Sequence, residues 1–89
     1  MKMKIKVARE YSREVIVHAS EHGQRTGQYL FNGLPEGARD AVAGMLWDPF
    51  YRDMSQYQIE EWILDHLVLS DSGTVTGVIT GGKIIWGSR

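Results

Sequence analysis

His18-Ala19-Ser20-Glu21-His22 is the stretch of this sequence whose residue types and spacing could do chemistry. On a helix, two histidines four positions apart share a face and can share a zinc ion, with Glu21 beside them as general base. A catalytic zinc also needs a third protein ligand and an open position for water. Glu61, Asp65 and His66 are candidates for that ligand, but nothing in their spacing ties them to the two histidines. The same residues read equally as the polar end of a helix, where the dipole favours histidine in the last turn. That second reading is the expected one. It requires neither metal nor cofactor, and it leaves a small zinc-dependent hydrolase as an alternative.

No other group of reactive side chains converges. Ser70, Ser72 and Ser88 fall in turn-like or terminal stretches without the G-x-S-x-G context of an activated serine. Thr80-Gly81-Gly82-Lys83 lacks the spacing of a phosphate-binding loop and precedes a strand. Glu60 and Glu61, adjacent in sequence, splay about 100° apart on a helix and do not form an acid/base pair. The absence of cysteine removes disulfides, thiolate zinc sites and cysteine nucleophiles together. The expectation is a protein that is not an enzyme.

Charge is distributed unevenly behind a formal net charge of −1. Residues 1–25 carry six Lys or Arg against three Glu, whereas residues 26–72 carry two Arg against eight acids. Lys2, Lys4 and Lys6, alternating along an N-terminal strand near Arg9, Arg13 and Arg25, could touch phosphates, which makes nucleic-acid binding an alternative function. Alternating lysines are also how edge strands resist aggregation. The acidic middle interleaves with Trp47, Phe50, Tyr51, Tyr57 and Trp62. Charge speeds encounter and buried aromatics hold a complex, so this region suits a partner protein with a basic surface. The candidate partner-binding residues are Asp48, Tyr51, Asp53, Tyr57, Glu60, Glu61 and Asp65. Trp62 sits on an apolar stripe and belongs to the core.

The elements that must position these residues are legible in part. Ser55 and Gln58 form a capping box, and Met54 and Ile59 are spaced as a hydrophobic staple. Behind them Ile59, Trp62, Ile63, His66 and Leu67 lie on one helical stripe, and Asp71-Ser72-Gly73 is the expected stop. β-branched runs on either side of Gly81-Gly82 predict a hairpin over residues 74–86, with Gly77 marking a bulge or a close backbone approach. Met3-Lys4-Ile5-Lys6-Val7 alternates apolar and basic, and is the expected third strand. Residues 12–22 fit either strand or a helix capped by Ser12 and ending at Gly23; helix is preferred. Thr26 opens a short helix, Pro35 opens another through Ala38, Ala41, Val42, Met45 and Leu46, and Asp48-Pro49 starts a single turn.

Arg25-Thr26-Gly27-Gln28, Asn32-Gly33-Leu34-Pro35 and Asp48-Pro49-Phe50-Tyr51-Arg52-Asp53 together resemble a pattern in short uncharacterised proteins of bacteria, phages and mobile elements. The resemblance covers residues 25–53, about a third of the chain. It implies two or three short helices there and no particular function. Read physically, the two segments form a clamp, with Arg25 paired to Asp48 or Asp53 and Asn32 ending the first helix. A host nuclease or defence complex is the partner that the mobile-element resemblance suggests.

These readings combine into a single α+β domain: an N-terminal strand plus a C-terminal hairpin make a three-stranded antiparallel sheet, packed with three or four short helices. The cysteine-free composition, and a basic start followed by no apolar run, predict a cytoplasmic protein without signal peptide or membrane span.

Overall fold

The structure, a computed structural model, describes residues 2–80 and 82–86, with side chains from Ile5 onward. Gly81, Ser88 and Arg89, and the side chains of Lys2 and Lys4, lie outside the described residues. The elements in chain order are α1 (Lys2–Glu21), α2 (Thr26–Asn32), α3 (Glu36–Val42), α4 (Gln56–His66), β1 (Leu67–Leu69), β2 (Val75–Thr80) and β3 (Lys83–Trp86). The strands form one antiparallel sheet in the order β1-β2-β3, so the fold is α+β. Among the described residues, no helix is long and apolar enough to cross a membrane.

The N-terminal strand expected from residues 3–7 is instead the first turn of α1. Five alternating residues compete with a longer helical stripe, Val7, Ala8, Tyr11, Ser12, Val15 and Ala19, all buried or half-buried. The longer period wins because it covers a core face over twenty residues. Ser12 is consequently mid-helix rather than a cap. It is fully buried, and its hydroxyl donates to the Arg9 carbonyl at 2.7 Å, satisfying the group within the helix. At the other end of α1, the Gly23 N–H bonds the Ser20 carbonyl and the Gln24 N–H bonds the Ala19 carbonyl, which satisfies two of the carbonyls that the helix end leaves free.

The third strand comes from the stretch read as the end of α4. Ser55 and Gln58 do close a capping box, and Met54 and Ile59 are both buried at the helix start. But α4 stops at His66, and Leu67 turns directly to extended backbone at φ −113°, ψ 148°. The Asp71-Ser72-Gly73 stretch is the turn joining β1 to β2, where Ser70 N–H bonds Thr74 and Gly73 N–H bonds Ser70. Pairing with β2 gives Leu67–Leu69 hydrogen-bond partners that helical propensity cannot anticipate.

Leu67, Val78 and Ile85 stand opposite one another across the sheet, as do Val68, Gly77 and Trp86. Alternation therefore puts these two rows on opposite faces. Leu67 and Val78 are fully buried in a core with Leu30, Val42, Ile59 and Ile63 from the helices. Between Val68 and Leu69 the register skips Thr76, so the bulge lies in β2 next to Gly77, and Gly77 also marks a close approach, beside the Ile85 carbonyl.

Met45 and Leu46 depart from the expected helix. α3 ends at Val42, because Gly44 takes φ +81° and its N–H is held at 2.9 Å by the Asp48 carboxylate. Leu46 is left 105% exposed.

Candidate functional site

The Arg25–Gly27 and Asp48–Met54 segments meet. Gly27 is buried where α2 begins, its N–H donating to the Arg52 carbonyl at 2.9 Å. The Thr26 hydroxyl donates to the Met54 carbonyl at 2.7 Å and accepts from the Met54 N–H at 2.6 Å. The Thr26 N–H adds a 3.3 Å bond to the Asp53 carboxylate. Asp48 accepts from the N–H of Phe50 with one oxygen and of Gly44 with the other, both at 2.9 Å. The turn it closes buries Pro49 fully, and Arg52 N–H bonds back to the Pro49 carbonyl.

Arg25 does not pair with either acid. Its guanidinium donates to the Phe50 carbonyl at 3.3 and 3.4 Å and lies 5.7 and 5.8 Å from the centroids of the Phe50 and Tyr51 rings. Phe50 in turn meets Phe31 and Tyr51 edge to face. An arginine over two aromatic faces gains from the ring quadrupoles as well as from the carbonyl. The segment is thus a clamp built on backbone atoms, and it fixes the chain that leads into the Ser55 cap of α4.

The seven residues singled out for partner binding divide into two sets. Asp48 and Asp53 hold the clamp, and Glu60 receives the Arg9 guanidinium at 3.2 Å in a half-buried position. Tyr51 and Tyr57 stand out at 80% and 71% exposure. Glu61 and Asp65 are exposed one and two turns beyond Tyr57, and the Tyr57 hydroxyl lies 3.5 Å from Glu61. Tyr57, Glu61 and Asp65 are spaced by four, so they line one outward stripe of α4.

Behind that stripe lies a cluster that residue spacing did not reveal. The Trp62 indole N–H donates to the Trp47 carbonyl at 2.7 Å, and the His66 ring stacks on the Trp47 ring at 4.0 Å with planes 5° apart. Burial lowers the His66 pKa, against smaller upward pulls from Asp65 and a bond to the Ile79 carbonyl. Burial likewise raises the Tyr11 pKa, with a further push from Tyr29.

His18, in the last turn of α1, and His22, one residue past its end, lie on the same side, and the Tyr29 ring of α2 stacks against both, at 6.0 and 5.9 Å. His18 Nδ1 is 3.0 Å from Glu21. Among the described residues, no three His, Asp or Glu side chains come together in a way that could hold a metal ion. The pair instead seats α2 on α1. The lysine stripe changes with the helix: a spacing of two turns about 200° on α1, so the positions of Lys2, Lys4 and Lys6 do not share a face. Lys6, Arg9 and Arg13 do, along an open groove of about 290 Å³ that Ile5 and Glu10 also line.

No protein-family model, curated protein or solved structure matches the chain.

Proposed function

We propose that the chain is a non-catalytic protein-binding module that engages a basic partner surface through Tyr51, Tyr57, Glu61 and Asp65. One observation carries this reading: two tyrosines project at 80% and 71% exposure on either side of a segment pinned by Thr26. Rigid aromatic anchors cost little conformational entropy on binding, and neighbouring carboxylates favour a cationic partner. Asp48, Asp53 and Glu60 serve this surface indirectly, by holding the loop and α4 in place. The resemblance of residues 25–53 to proteins of phages and mobile elements suggests a host nuclease or defence complex as the partner, and inhibition as the outcome.

The test is affinity capture from bacterial lysate with the wild-type chain and a Tyr51→Ala/Tyr57→Ala/Glu61→Lys/Asp65→Lys variant. The expected result is a complex retained by the first and lost by the second, with matching circular dichroism. Equal recovery by both would refute the assignment of this surface.

A second reading rests on Lys6, Arg9 and Arg13 sharing one groove of α1. It predicts DNA or RNA binding that falls steeply with salt and is lost in Lys6→Ala/Arg13→Ala. No binding at low salt disposes of it.

A further inference from the structure

The two edges of the sheet differ. β1 is three residues long, emerges directly from α4 and is out of regular register with β2 where Thr76 bulges, features that keep sheet edges from pairing. β3 has no bulge in its pairing with β2 and no proline, and its one charge, Lys83, stands at its start. All four of its residues are exposed, Ile84 at 47%, Ile85 at 38% and Trp86 at 63%. Among the described residues, no strand pairs with its outer edge.

The register shows what that edge offers. Thr80 opposite Lys83 closes a two-residue hairpin turn, so Lys83 and Ile85 direct their backbone N–H and C=O toward β2. Ile84 and Trp86 direct theirs outward, and their side chains share the sheet face turned away from Leu67 and Val78.

We propose that β3 pairs antiparallel with β3 of a second copy of this chain, about a two-fold axis through Ile85, to join two sheets into one. In that register Ile84 and Trp86 of one copy exchange backbone hydrogen bonds with Trp86 and Ile84 of the other. Each isoleucine then packs against the opposite tryptophan, an aliphatic–aromatic cross-strand pair made twice. The two Ile85 side chains meet at the axis, and the two lysines fall at opposite ends, so no like charges oppose. A second copy supplies both halves of each pair by symmetry, as an isologous contact requires. The three side chains expose on the order of 300 Å² per copy, well under the ~800 Å² per partner of a standard interface. The dimer is therefore weak and reversible.

Sedimentation equilibrium from about 10 μM to about 1 mM spans the range of a weak complex. The weight-average mass is expected to rise from that of one chain toward twofold. Ile84→Pro removes an outward N–H while leaving the bonds to β2, and is expected to stay monomeric with an unchanged circular dichroism spectrum. Because the chain has no cysteine, a single Ile85→Cys reports the register. Opposed non-hydrogen-bonded residues have Cα atoms about 4.5 Å apart, within disulfide reach. Mild oxidation is expected to link Ile85→Cys into a dimer faster than Val17→Cys, an exposed position on α1. A wild type that is monomeric throughout overturns the proposal. So does a dimer that persists in Ile84→Pro, or equal cross-linking rates at positions 85 and 17.

Discussion

Gly27 has no room for a side chain. A Cβ there would overlap the carbonyl oxygens of Pro49 and Arg52, both backbone atoms of a turn that is itself held by Asp48. Gly44 differs: its φ of +81° is unfavourable for other residues, but nothing lies within 4 Å of the added atom. Gly27→Ala is therefore expected to cost about 2–4 kcal/mol, as overpacking against rigid atoms does, and Gly44→Ala about 1–2 kcal/mol of strain. Urea denaturation ranks them, and the reverse order would mean that the clamp yields. At His66, burial opposes the charged imidazole, so the unfolded chain takes up a proton first as pH falls below the ordinary value of 6.5. Stability is accordingly full above that pH, declines as pH falls through the window below it, and levels off once the lowered native pKa is passed. Denaturation midpoints at about pH 8 and about pH 5 check this, with His66→Phe expected to flatten the difference. In the sequence, the clamp was visible as two segments, but its bonds were not. Arg25 reaches a carbonyl rather than a carboxylate, and backbone acceptors leave no mark on residue type.

Elements were readable where a local signal stood alone. Ser55, Gln58, Met54 and Ile59 announce the start of α4 through four residues: the capping box is closed, and Met54 and Ile59 are both buried in the core. Ser55→Ala is expected to remove about 1 kcal/mol, read as a lower thermal or urea midpoint with the denaturant slope unchanged. A slope that shifts as well would point to a change beyond the cap. The outward stripe of Tyr57, Glu61 and Asp65 follows from the same helix. Where two periods competed, the sequence misled. Residues 3–7 satisfy a strand pattern locally and a helix pattern only when read together with Val15 and Ala19. Leu67–Leu69 continues the apolar character of α4, and only β2, more than five residues onward, makes it a strand. Exposure of Leu46 depends on Gly44 ending α3, a signal that was present but outweighed by the apolar spacing around it.

At the level of the whole molecule, helices and sheet share one core: Leu30, Val42, Ile59, Ile63, Leu67 and Val78 belong to a single contiguous cluster. The layers cannot come apart separately, so unfolding is expected to be a single transition, with tryptophan fluorescence and far-ultraviolet circular dichroism coinciding in urea. Ile63→Ala, at the centre of that cluster, is expected to cost about 2–5 kcal/mol and to shift both signals together. Two separated midpoints would show instead that the hairpin melts on its own. The α+β class was legible because hairpin chemistry and helical stripes are both local. The choice of third strand was not, because pairing partners are fixed by the packed whole.

The junction between His66 and Leu67 has no slack. With no linker residue to absorb a change of length, α4 sets the phase of β1: insert one residue there and the strand advances by half its repeat, so Leu67 and Val68 trade faces. The last turn of the helix is, in effect, the origin from which the sheet counts.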